Sequence, residues 1–67
     1  MTTFEALNHY NHAERIVKKR NPEISAVTRA EKINILLEKL HGEDKADEIL
    51  DLVFAHEFYP VGLNKNN

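Results

Sequence analysis

Residues 46–54 read ADEILDLVF, and this stretch predicts a helix with an unusually wide apolar face. Its apolar side chains cover roughly 200° of a helical wheel, whereas an ordinary surface helix carries a stripe of about 100°. Glu43 and Asp44 suit the start of the helix, because acidic side chains complement the helix dipole there. We predict a helix over residues 43–58. Its wide face has two interpretations: packing between two other helices, or an interface with another chain.

A capping box marks the start of a helix near the N-terminus. The Thr2 hydroxyl can accept a hydrogen bond from the Glu5 amide while the Glu5 carboxylate reaches back to Thr2. Asn21 precedes Pro22 and ends the helix, because a residue before proline avoids helical backbone angles. We therefore predict a helix over residues 3–20. Its apolar positions, spaced by three and four, are Ala6, Leu7, Tyr10, Ala13 and Val17.

A second capping box, from Thr28 to Glu31, predicts a middle helix over residues 28–41. Gly42 follows it, where a glycine can close the helix in the left-handed conformation. The connection over residues 22–27 has two interpretations, a short turn of helix or a structured loop. The predicted core face of the middle helix consists of Ala30, Ile33, Leu36, Leu37 and Leu40.

The whole pattern predicts an all-α fold, a small two- to three-helix bundle in one domain over residues 1–60, with a flexible C-terminal tail over residues 61–67. A chain of 67 residues builds only a small core, and such chains usually add a disulfide, a metal or an oligomeric partner. This chain has no cysteine, which excludes disulfides. We therefore expect homodimerisation to complete the bundle.

Composition argues against an enzyme. Ser25 is the only serine and lacks the flanking glycines of a nucleophile elbow. Gly42 and Gly62 are the only glycines, so no phosphate-binding loop can be written. A chain of this length also has little room for the concave pocket that catalysis needs. We predict no catalytic residues and no cofactor.

Glu5, His9 and His12 are weak candidates for metal ligands. They recur at i, i+4 and i+7 on the polar side of the first helix, and imidazole with carboxylate suits zinc. His56 would be available to complete such a site. The favoured interpretation is a solvated polar face without metal, because nothing else in the chain converges on these residues.

Basic residues concentrate in the first half of the chain. Residues 1–41 hold seven basic and five acidic side chains, and residues 42–67 hold two basic and six acidic ones. The candidate nucleic-acid contacts are Arg15, Lys18, Lys19, Arg20, Arg29 and Lys32. A helix-turn-helix reader is disfavoured, because the acidic third helix would be repelled from a DNA groove. Compensation of the helix dipole by the cations is the simpler interpretation.

The apolar excess of the third helix is the strongest functional signal, and Phe4, Ile16 and Ile35 also fall outside their own apolar stripes. We predict a protein-binding module, acting as a regulator, inhibitor or assembly adaptor. Its predicted partner or dimer interface consists of Ile49, Leu52, Val53, Phe54, Phe58 and Tyr59. The alternative is a DNA-associated accessory protein that uses the basic residues between 15 and 32.

Location and class follow from weaker signals. The longest apolar cluster is interrupted by Asp51, so no membrane span and no membrane partner are predicted. The absence of cysteine suits the reducing cytoplasm. A short chain with charge-rich helices and no catalytic set is typical of small accessory proteins of phages and other mobile elements.

Overall fold

Three helices make up the part of the chain that this computed structural model describes, residues 1–58. They are α1 (Thr3–Arg20), α2 (Ala26–His41) and α3 (Glu43–Phe58), and no strand occurs within these residues. Each helix contacts both of the others, so the predicted small all-α bundle is confirmed. The predicted tail, residues 61–67, lies outside the described residues.

The start of α1 follows the predicted capping box. The Glu5 amide donates to Thr2 Oγ1 at 3.1 Å, and the Thr2 amide donates to Glu5 Oε1 at 2.8 Å. Both helix bounds agree with the sequence prediction. The last turn of α1 carries Lys18, Lys19 and Arg20, which complement the negative end of the helix dipole.

The start of α2 differs from the prediction. The helix begins at Ala26 rather than Thr28, and its cap is Ser25, whose hydroxyl accepts a hydrogen bond from the Thr28 amide at 3.2 Å. The chain turns at Pro22 and Glu23, and the helix starts at Ala26. The connection over residues 22–27 is therefore a loop in its first part, and its last two residues belong to the helix. Serine is as good a cap as threonine, and capping at Ser25 adds two residues, about half a turn, to the predicted helix.

Gly42 alone separates α2 from α3. Its φ is +88°, the positive value that the sequence predicted, but its ψ of 161° is extended rather than left-handed helical. The Gly42 amide still donates to the Glu38 carbonyl at 2.9 Å and completes the last turn of α2. The extended ψ lets α3 begin at once, and the Ala46 amide already donates to the Gly42 carbonyl.

The core contains eight buried hydrophobic side chains, drawn from all three helices. They are Ala6, Ala13, Val17, Ile33, Leu37, Ala46, Ile49 and Val53. The apolar stripe of α1 is confirmed, because its other members, Leu7 and Tyr10, pack partly buried against this core. The alanines of α1 and α3 occupy little volume, which allows these two helices to approach closely.

The predicted core face of α2 is only partly right. Ile33 and Leu37 are buried and Leu36 packs against the core, but Ala30 is exposed and Leu40 is 49% exposed. Two neighbouring helices cover a narrower stripe of α2 than the five predicted positions span. Ala30 and Leu40 are the first and last of the five predicted positions, and both remain at the surface.

Packing on two sides explains most of the wide face of α3. Ile49 and Val53 lie in the core, and Leu50 and Leu52 are partly buried against it. Also on α3, Glu48 Oε2 lies 2.7 Å from the Met1 ammonium group. None of the helices in residues 1–58 is both long and apolar enough to cross a membrane.

Candidate functional site

The structure divides the predicted interface residues between core and surface. Ile49 is 0% and Val53 4% exposed, so in this fold they hold the bundle together and are not available to a partner. Leu52 is half-buried, and Phe54 is 47% exposed. The Phe58 side chain and Tyr59 lie outside the described residues. A surface role therefore rests on Phe54, with the half-buried Leu52 two residues before it in the sequence.

Phe54 borders a groove between α1 and α3. We call it the Phe54 groove, with a volume of about 390 Å³ and described lining residues Leu7, Tyr10, Asn11, Glu14, Val53, Phe54 and Glu57. Its floor is apolar, and two carboxylates stand at its edge. Burial raises the pKa of the Tyr10 phenol, the charges of Glu14 and Glu57 add to this rise, and Arg29 opposes it. The charges around the groove are mixed, because Lys18 lies 3.9 Å from Glu14 and Arg29 lies near Tyr10.

A second groove lies between α1 and α2. We call it the basic groove, with a volume of about 210 Å³ and described lining residues Ile16, Val17, Arg20, Asn21, Lys32, Ile35, Leu36 and Lys39. Ile35 is 51% exposed, as its position off the apolar stripe of α2 predicted. Among the described residues, this groove contains three cations and no carboxylate, and it shares no lining residue with the Phe54 groove.

The predicted nucleic-acid contacts do not form one surface. Arg20 and Lys32 line the basic groove together. Lys18 lies 3.9 Å from Glu14, a lining residue of the Phe54 groove, and Arg29 is close enough to Tyr10 to influence its pKa. The other two residues, Arg15 and Lys19, are exposed on α1.

Lys39 joins Arg20 and Lys32 in the basic groove although sequence reasoning missed it. The signal was present, because Lys32 and Lys39 are seven residues apart and therefore share a face of α2. Grouping basic residues by nearness in the sequence misses a pair that is seven residues apart.

The histidines are arranged differently from the predicted metal set. The Glu5 carboxylate accepts the hydrogen bond from the Thr2 amide that caps α1. The His9 ring packs at a tilt against the His41 ring of α2, with ring centroids 4.4 Å apart. Within residues 1–58, no group of three or more histidine or acidic side chains could hold a metal ion. His12 is exposed on α1, and His56 is exposed near the end of α3. His41 was missed because it belongs to another helix.

The only serine has a structural task. Ser25 Oγ donates to Thr28 Oγ1 at 3.0 Å and accepts from the Thr28 amide, so the hydroxyl caps α2. This arrangement explains why a lone serine stands at the end of the connection after α1.

Comparison with protein-family models, with curated proteins and with solved structures gives no match for this chain. Within residues 1–58, the two grooves combine a concave shape with exposed apolar side chains, and they are the candidate interaction surfaces.

Proposed function

We propose that the chain is a non-enzymatic protein-binding module of the cytoplasm, acting as a regulator, inhibitor or assembly adaptor and self-associating as a homodimer. The observation that carries this proposal is the 47% exposure of Phe54 beside the apolar floor of the Phe54 groove. Exposed aromatic side chains next to a concave apolar surface are typical anchors of protein interfaces. The small size and charge-rich helices fit an accessory protein of a phage or other mobile element.

The size of the core supports self-association. Of the eight buried side chains three are alanines, so the bundle buries few large apolar groups. Moving an exposed phenylalanine out of water contributes about 1.5–3 kcal/mol when burial is complete, and Phe54, already half covered, would gain only part of that. In a two-fold dimer each copy would contribute one Phe54, so the gain would count twice.

Sedimentation equilibrium from micromolar to millimolar concentration tests the proposal. We expect the chain to dimerise, Phe54→Glu to remain monomeric and folded, and the matched control Phe4→Glu to dimerise normally. Phe4 is 72% exposed and does not line the Phe54 groove, so the control introduces the same change elsewhere. A chain that stays monomeric throughout, or a dimer that Phe54→Glu leaves intact, would contradict the assignment of this surface.

A DNA-associated accessory role is the second candidate, and the meeting of Arg20, Lys32 and Lys39 in one groove favours it. Three phosphate contacts predict that duplex affinity falls about 40-fold between 50 and 200 mM salt. Titration of a labelled duplex at several salt concentrations measures this slope. No binding at the lowest salt concentration would eliminate the candidate.

A further inference from the structure

The basic groove has a regular pattern along α2. Lys32, Ile35, Leu36 and Lys39 occupy positions i, i+3, i+4 and i+7, so they form one stripe with cations at its ends and aliphatic side chains between them. A rise of 1.5 Å per residue places the backbone positions of the two lysines about 10.5 Å apart along the helix axis. Ile35 is 51% exposed at the centre of this stripe.

The opposite wall of the groove belongs to α1 and combines aliphatic side chains with one cation. Ile16 is half-buried and faces the groove, and Arg20 follows one turn later. Val17, which is 5% exposed, closes the floor. Within the described part of the chain, neither Arg20, Lys32 nor Lys39 forms an ion pair. The groove therefore offers an aliphatic centre beside three positive charges that have no ion-pair partner among the described residues.

We infer that the basic groove binds an acidic amphipathic helix of another protein. Two carboxylates seven residues apart on such a helix match the spacing of Lys32 and Lys39. An aliphatic pair between the carboxylates would cover Ile35 and Ile16, and this burial would supply most of the affinity. The charges set the orientation and the rate of encounter more than the affinity.

An aliphatic centre distinguishes this ligand from a nucleic acid. Phosphate groups would neutralise the three cations but would leave Ile16 and Ile35 without an apolar partner, whereas an amphipathic helix satisfies both features. The acidic α3 of a second copy is also disfavoured. Its exposed Asp44 and Asp51 are seven residues apart, but Asp47 and Glu48 stand between them where an aliphatic pair would be needed.

This inference goes beyond the proposed homodimer and does not depend on it. The two grooves share no described lining residue, so one copy can bind a second copy through the Phe54 groove and another protein through the basic groove. This arrangement is what an assembly adaptor requires.

The probe for the test is a synthetic peptide of about 20 residues, long enough for appreciable helix content in isolation. It carries two glutamates seven positions apart with two adjacent leucines midway between them. One control peptide replaces the glutamates with lysine, and a second replaces the leucines with serine. Fluorescence anisotropy measures the binding of each labelled peptide to the full chain, and a labelled DNA duplex serves as a polyanion without apolar side chains.

We expect saturable binding of the acidic peptide and no binding of either control peptide. The double variant Lys32→Glu with Lys39→Glu should weaken binding about tenfold or more, because attraction becomes repulsion at both ends of the stripe. Lys19 is exposed on α1 and does not line the groove. The control variant Lys19→Glu should therefore change the affinity for the acidic peptide less than about twofold. The lysine-substituted peptide should bind the double variant, which restores charge complementarity. Circular dichroism confirms that each variant folds.

Three results would overturn the inference. Equal binding of the leucine and serine peptides would show that the aliphatic centre has no role. Tighter binding of the duplex, insensitive to Ile35→Ser, would assign the groove to a nucleic acid. Concentration-dependent self-association that persists in Phe54→Glu but is abolished by Lys32→Glu would identify a second copy as the occupant. The Phe54→Glu variant separates the two proposals, because peptide binding should persist in it whether or not the chain dimerises.

Discussion

The imidazole rings of His9 and His41 lie in contact, with centroids 4.4 Å apart and planes tilted by 58°. This contact joins the first half of α1 to the last turn of α2 and lies away from both grooves. Partial burial lowers the pKa of His41, and the nearby charges of His9, Lys45 and His12 lower it further. Protonation of His41 is therefore less favourable in the folded chain than in the unfolded one.

A loss of stability on mild acidification follows from this lowered pKa. Since unfolded His41 has its ordinary pKa of 6.5, the unfolded chain binds more protons below that pH than the folded chain does. The contribution of neutral His41 to the free energy of unfolding is fully present above pH 6.5. It is lost as the pH falls through the lowered pKa of His41 in the folded chain. We expect a lower urea midpoint near pH 5.5 than near pH 7.5, and His41→Gln should reduce the difference. His56→Gln, at an exposed position of α3, is the control. An unchanged difference in His41→Gln would exclude His41 as its source.

Local signals predicted the helices well because they act over neighbouring residues. The Thr2 cap, the stop at Pro22 and the acidic start of α3 placed most helix ends correctly. The start of α2 was missed, because Ser25 and Thr28 are both good caps and a sequence pattern cannot rank two caps that are three residues apart.

The functional surfaces were harder to predict because they depend on how the helices pack. A helical wheel gave Ile49 and Phe54 the same status, although one is fully buried and the other half-exposed. Arg20 joins Lys39, and His9 joins His41, only because α1 packs against α2. Periodicity identifies an apolar face but does not show which part of it the other helices cover.

The cap of α2 gives a direct test of the corrected helix start. We expect Ser25→Ala to lower the free energy of unfolding by about 1 kcal/mol, because the Thr28 amide loses its acceptor. For a domain of this size such a loss lowers Tm by roughly 4–8 °C. Thr28→Ala keeps the capping hydrogen bond and improves helix propensity, so its effect should be much smaller. Thermal unfolding followed by circular dichroism compares the two variants. A larger loss for Thr28→Ala would place the helix start at Thr28 in solution, as the sequence pattern indicated.

The burial of Ile49 predicts that an isoleucine-to-alanine substitution lowers the free energy of unfolding far more on α3 than at the exposed Ile35 of α2. Ile49→Ala removes a side chain that is 0% exposed, and such a cavity costs about 2–5 kcal/mol. Ile35→Ala removes one that is 51% exposed, so its free energy of unfolding should stay within about 0.5 kcal/mol of the unsubstituted chain. Since small domains have only a few kcal/mol in reserve, Ile49→Ala should be largely unfolded where Ile35→Ala is intact. Urea unfolding should be measured at the lowest practical concentration, because self-association would add its own stabilisation. If Ile49→Ala proved as mild as Ile35→Ala, α3 would not be packed into the core, and its whole apolar face would again be open to a partner.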